Sequence, residues 1–171
     1  VMSALMKALY EEGWGRHGWP ESLGGLGGTI LHRAAMWDSL ARHGVRGMGL
    51  FEHVEVLLPT LCGLASREFV SRALPAFLSG RELWCQGFSE PVAGSDLAGL
   101  QTKAVRDGDH YVVTGHKIWT TFAQIADYCE LLARTDPHAP KHRGITWMIM
   151  PMDSPGIDVR PMRTLTGESE F

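Results

Sequence analysis

Gly87-Phe88-Ser89-Glu90-Pro91-Val92-Ala93-Gly94-Ser95-Asp96 divides the chain. Before it, apolar residues recur with a helical period; after it they alternate, so its reading decides the fold. Pro91 removes a backbone donor and fixes its own φ, which stops a helix or a central strand at this point. Val92 to Ser95 are small and would leave consecutive N–H groups open, with hydroxyls at Ser89 and Ser95. Such a run can hold an anion or the polar edge of a cofactor. The same residue types also make ordinary turns, and composition leaves both readings open.

On the N-terminal side, Met2, Leu5, Met6, Leu9 and Tyr10 share one helical face. Trp14 to Gly28 reads as a turn-rich connection; its glycine pairs fail the Gly-x-Gly-x-x-Gly spacing, because Ile30 stands where the third glycine belongs. Thr29 is a candidate N-cap for a helix running to about His43, and Gly44 ends it. A third helix is expected from about Met48 to Leu58, stopped by Pro59. A fourth begins near Ser66 with Ala65, Phe69, Ala73 and Phe77 in a stripe, and Pro75 is expected to interrupt it. His43 and His53 lie in these helical segments, and a structural or surface role is expected of both.

On the C-terminal side the period becomes 2. Leu83–Phe88, Gln101–Arg106, His110–Thr114, His116–Thr121, Tyr128–Arg134, Ile145–Pro151 and Ile157–Pro161 read as strands, with a turn at Asp107-Gly108-Asp109. Helices followed by short strands give an α+β chain, an all-α unit at 1–82 and an antiparallel β unit at 83–171.

A length of 171 residues is enough to bury a real core, and a formal charge of -3 with no Lys/Arg cluster argues against nucleic-acid binding. The longest apolar run, Ile145 to Met152, falls well short of the roughly 20 residues that span a bilayer. Three dispersed cysteines without Cys-x-x-Cys spacing give neither a disulfide framework nor a zinc site, and no metal is expected from the histidines. A reducing cytoplasm, or the mitochondrial matrix in a eukaryote, fits this usage.

Two motifs sharpen the reading. Glu90-Pro91-Val92-Ala93-Gly94-Ser95-Asp96 resembles the flavin-loop signature of the acyl-CoA dehydrogenase family, and Gly115-His116-Lys117-Ile118-Trp119-Thr120-Thr121 resembles its second flavin-contacting segment. Gly18-Trp19-Pro20-Glu21-Ser22-Leu23-Gly24-Gly25 is similar to a connection in the family's N-terminal helical domain, and the likeness runs on to Met162–Phe171. The resemblance implies a helical domain followed by an antiparallel β-barrel, here stopping before the last barrel strand. In the family a C-terminal helical domain follows and carries the catalytic glutamate, so no residue of this chain takes the catalytic-base role.

The resemblance further implies FAD, with Gln86, Phe88, Ser89, Gly94, Ser95, Trp119, Thr120 and Thr121 as cofactor contacts and Ser95 also at the acyl-CoA. Ser89 stands where the family usually has threonine, keeping the hydroxyl and losing the methyl. Gln86 replaces an aromatic residue of many members. The implied reaction is dehydrogenation of an acyl-CoA to its trans-2-enoyl product, with an electron-transfer flavoprotein as acceptor and a homotetramer or hetero-oligomer as the assembly. Related outcomes are a flavin-dependent oxidase or monooxygenase, and a non-catalytic subunit of a hetero-oligomer.

Overall fold

The computed structural model describes every residue except Val1, Arg46, Gly47, Glu168 and Glu170, and it leaves the burial of Met48 and Gly49 undescribed. Two of the excepted residues, Glu168 and Glu170, belong to the closing stretch of the family likeness. The chain divides into two compact units, Val1–Leu83 and Trp84–Phe171.

The first unit is helical: α1 (Met2–Glu11), α2 (Ile30–Arg42), α3 (Met48–Glu52), α4 (Leu58–Leu64) and α5 (Arg67–Leu78). Thr29 caps α2 as its residue type suggests. Its Oγ1 accepts from Leu31 N at 3.3 Å, and its own N–H donates to His32 Nδ1 at 3.1 Å, so His32 takes the place a glutamate usually fills in a capping box. Ser66 Oγ accepts from Phe69 N to start α5.

Both prolines expected to break helices are absorbed. Pro59 sits in the first turn of α4, directly after a π-helical turn at His53–Leu57, where the wider ring accommodates a residue that cannot donate to the preceding turn. α5 runs straight through Pro75. An interior proline costs about 3 kcal/mol, but Ala73, Leu74, Ala76, Phe77 and Leu78 are all buried around it. Each large side chain buried there contributes about 1.5–3 kcal/mol, which outweighs the local penalty.

The second unit holds one five-stranded sheet: β1 (Trp84–Gly87), β2 (Lys103–Asp107), β3 (His110–Thr114), β4 (Tyr128–Arg134) and β5 (Ile145–Pro151). β4 is central. It pairs in parallel with β1 and, at Lys103↔Arg134, with β2, and antiparallel with β5; β2 and β3 form the hairpin around Gly108. The sheet is therefore mixed, where a purely antiparallel one was expected, and its strands do not close into a barrel among the described residues. Strand alternation sends Cys129, Leu131 and Ala133 to one face, where with Cys85 and Ala104 they form the core beneath Met148, Met150 and Met152.

Two expected strands do not form. Ile157–Pro161 carries no ladder. His116–Thr121 fails because Trp119 has φ 59°, a left-handed value incompatible with extended backbone, and the chain then turns through Thr120 to Ile125. Ile118 N still donates to Ser89 O at 2.9 Å, a single main-chain contact in place of a ladder.

Candidate functional site

The flavin-loop stretch is closed on itself at its start. Glu90 N donates to Ala93 O (2.8 Å) and Ala93 N to Glu90 O (3.1 Å), which turns the chain sharply over Pro91 and Val92. Pro91 suits such a turn because its φ is already set.

The carboxyl of Glu90 organises what surrounds the turn. Its Oε2 accepts from Gln101 N at 2.6 Å, and its Oε1 accepts from Thr102 N at 2.9 Å and from Lys117 Nζ at 2.9 Å. Lys117 Nζ also donates to Phe88 O at 3.0 Å. One buried ion pair thus ties together the first motif, the entry to β2 and the second motif. Side-chain exposure is 4% for Glu90 and 13% for Lys117, so the pair is screened little by water.

Burial pushes the Glu90 carboxyl up, but hydrogen bonds, that from Lys117 foremost, overcome it and bring it down to about 2. Burial likewise lowers the Lys117 ammonium, opposed by Glu90. Because Glu90 is lowered in the folded state, its stabilisation is complete above the ordinary carboxylate value of 4.5 and is lost as pH falls toward 2. Acid titration of the β unit, followed by circular dichroism, is expected to lose about 3 kcal/mol across that window. A Glu90→Gln variant should lack this step.

The structure brings together several of the residues expected at a cofactor. Phe88 and Ser89 are half-buried and lie beside Ile118 through the Ser89–Ile118 bond; Trp119, Thr120 and Thr121 follow directly. Trp119 is 56% exposed and carries the left-handed backbone, with Phe171 edge-on to it at 5.5 Å. Trp119 thus combines an open aromatic face with a backbone conformation that costs about 1–3 kcal/mol. The Thr120 hydroxyl is buried without a hydrogen-bond partner among the described residues.

Gly94, Ser95 and Asp96 lie past the turn and are exposed. A Cβ at Gly94 would meet nothing within 4 Å, so the chain's own packing does not demand glycine there; the open backbone fits close approach by another molecule. Gln86 is half-buried in β1, with Glu130 as its register partner on β4. These features fit a flavin: an open aromatic plane, hydroxyls at Ser89 and Thr121, and an uncovered backbone at Gly94.

Reading by residue type assigned no role to Lys117 or to the Glu90 carboxyl. The signal was available, since a lysine among strand-like neighbours and a glutamate before proline lie within the two matching motifs. Neither cysteine of the sheet offers a nucleophile alternative: Cys85 and Cys129 are free, buried register partners, and the Cys85 thiol is pushed far up by its hydrogen bond with Cys129 and by burial.

Comparison with known proteins shows the family. Residues 85–170 match the family model described as acyl-CoA dehydrogenase, middle domain, and residues 1–81 match the acyl-CoA dehydrogenase N-terminal domain. Acyl-CoA dehydrogenase IpdE1 of Mycobacterium tuberculosis is 41% identical over 154 residues, covering 90% of this chain and 40% of the relative. Among solved structures, the Tcur3481-Tcur3483 steroid ACAD superposes with TM-score 0.87 at 41% identity, covering 97% of this chain and 43% of that one. The ChsE4-ChsE5 complex of Mycobacterium tuberculosis superposes with TM-score 0.86 at 36% identity, covering 99% and 43%. The chain therefore spans about two fifths of the length of the relatives it matches. With two domain models matched in order along nearly all of its length, the chain belongs to the acyl-CoA dehydrogenase family.

Proposed function

We propose that this polypeptide is the helical and β portion of an FAD-dependent acyl-CoA dehydrogenase that introduces an α,β double bond into an acyl-CoA thioester, giving the trans-2-enoyl product. The observation that carries the reading is the Glu90–Lys117 pair, because it fixes Phe88 and Ser89 against the segment leading to Trp119, Thr120 and Thr121.

FAD, when bound, supplies the hydride acceptor at N5. The chain's own residues bind and orient. Trp119 offers an aromatic plane, Ser89 and Thr121 offer hydroxyls, and the loop at Gly94 and Ser95 takes the approach of cofactor and acyl-CoA. Lys117 and Glu90 hold these parts in register, and orientation of this kind supplies the proximity term of the rate. The base that takes the α-proton is assigned to no residue of this chain. An electron-transfer flavoprotein is the proposed acceptor. The 41% identity to a structure described as a steroid ACAD supports a bulky polycyclic acyl-CoA within the substrate class.

A second reading, a subunit of a hetero-oligomer that holds cofactor or substrate without providing the base, is favoured by the two-component naming of the ChsE4-ChsE5 complex. Anaerobic mixing of the FAD-loaded complete enzyme that contains this polypeptide with steroid and straight-chain acyl-CoA thioesters tests the main reading. It predicts bleaching of the flavin band. Bleaching only after a partner subunit is added supports the second reading, and none under either condition contradicts dehydrogenation.

Ser89→Ala should weaken FAD binding by about 1–3 kcal/mol, since a ring polar group then loses its partner. Titration of FAD by fluorescence quenching reads this; unchanged affinity would remove Ser89 from the site.

A further inference from the structure

Glu130 lies in the middle of the central strand β4 and has no exposed surface. Alternation puts it on the face it shares with Tyr128 and Leu132, opposite the Cys129–Leu131 core. Its register partners are Gln86 on β1 and Ile149 on β5. Oε2 accepts from Trp147 Nε1 at 3.3 Å, whereas Oε1 is buried with no hydrogen-bond partner among the described residues.

No cation faces this carboxyl from the strands around it. β5 contains no ionisable residue, and β1 offers the neutral Gln86 on this face and the Cys85 thiol on the other. β2 meets β4 at Lys103↔Arg134, four residues along the strand. The Arg134 guanidinium is taken up by the carbonyls of Ala98, Leu100 and Lys141. On its own strand the remaining titratable groups are Tyr128 and Cys129. Glu90, by contrast, gathers three donors, one of them cationic. A buried carboxylate requires such compensation, and a neutral carboxyl does not.

We propose that Glu130 is a proton-operated latch: neutral, it sits beneath Trp147 with β5 closed on β4; ionised, it has one donor where a carboxylate needs several, and the β4–β5 ladder loosens. Burial pushes the carboxyl up to about 7, and the Trp147 hydrogen bond offsets only part of this. The sign is opposite to that of Glu90. Between 4.5 and about 7 the folded form keeps a proton that the unfolded chain has released, so stability falls as pH rises through this window and is level above it. The difference corresponds to roughly 300-fold in the opening equilibrium. β1, next to the latch, leads directly into Phe88 and Ser89, so the loosened face adjoins the flavin loop. The proposal itself does not depend on flavin being the ligand.

Hydrogen exchange of the whole polypeptide tests it, with rates corrected for the intrinsic pH dependence of amide exchange. Protection of the β4 and β5 ladder amides is expected to fall by about 70-fold between pH 5 and pH 8 in the wild type, and to stay level in Glu130→Gln. Equal pH dependence in the two proteins would overturn the proposal. Should Glu130→Gln fail to fold, infrared spectroscopy of the wild type decides. The carbonyl stretch of a buried neutral carboxyl must be present at pH 5 and gone by pH 8; its absence at pH 5 overturns the latch.

Discussion

Lys117→Met will destabilise the β unit by about 3–5 kcal/mol, the range found when one partner of a buried ion pair is removed. The substitution keeps most of the aliphatic stem and removes the ammonium. Glu90 would then hold a buried negative charge on two backbone N–H groups alone, and Phe88 O would lose its donor. Urea unfolding at pH 7 reads the loss. A change below about 1 kcal/mol, the value typical of exposed pairs, would show that the pair does not organise the loop. The double variant Glu90→Gln/Lys117→Met should recover part of the loss, because no uncompensated charge then remains buried.

An effect of similar size is expected in the helical unit from Glu55→Ala. Glu55 stands in the π-helical turn, where Oε2 accepts from Arg33 Nε at 3.0 Å and Oε1 from Trp37 Nε1 at 2.8 Å. Arg33 reaches further, donating to Gly18 O at 2.7 Å and stacking over Trp19 at 4.4 Å. Both side chains of the pair are almost covered, at 13% and 10% exposure, so removing the carboxylate strands a guanidinium out of water and unpins the Trp14–Gly28 connection. The expected loss is about 3–5 kcal/mol. Asp38→Ala provides the contrast. Its ion pair with Arg42 is short, at 2.8 Å, but lies in solvent, and its removal should change stability by less than about 1 kcal/mol. Equal losses in the two variants would contradict the role given to burial.

The contrast between those pairs also explains what was legible in the sequence. Helical period, the Thr29 and Ser66 caps and the Asp107-Gly108-Asp109 turn act locally, and each is read from its neighbours. Pro59 and Pro75 were misread as breaks because local propensity yielded to a π turn in one case and to burial of α5 in the other. His116–Thr121 alternates like a strand, but the Lys117 side chain is drawn to Glu90 and the backbone reverses its φ at Trp119. Neither event has a signature in a short window. The mixed sheet was likewise hidden, since parallel pairing of β1 with β4 joins residues more than forty positions apart.

At the candidate site, residue types and motif spacing found the two segments, and the fold supplied their connection. Glu90 and Lys117 lie 27 residues apart in sequence. Glu130 was not found, because an acid in an otherwise apolar strand looks like a solvent-facing position until both faces of β4 are seen to be covered.

The central claim is that this chain carries a flavin site, and the visible absorption spectrum of the purified protein after incubation with FAD and desalting tests it most directly. The account predicts retained flavin bands, with a resolved long-wavelength band shifted from that of free FAD, and their weakening in Ser89→Ala. A colourless protein, from a preparation in which β-unit folding is verified by circular dichroism, would contradict it.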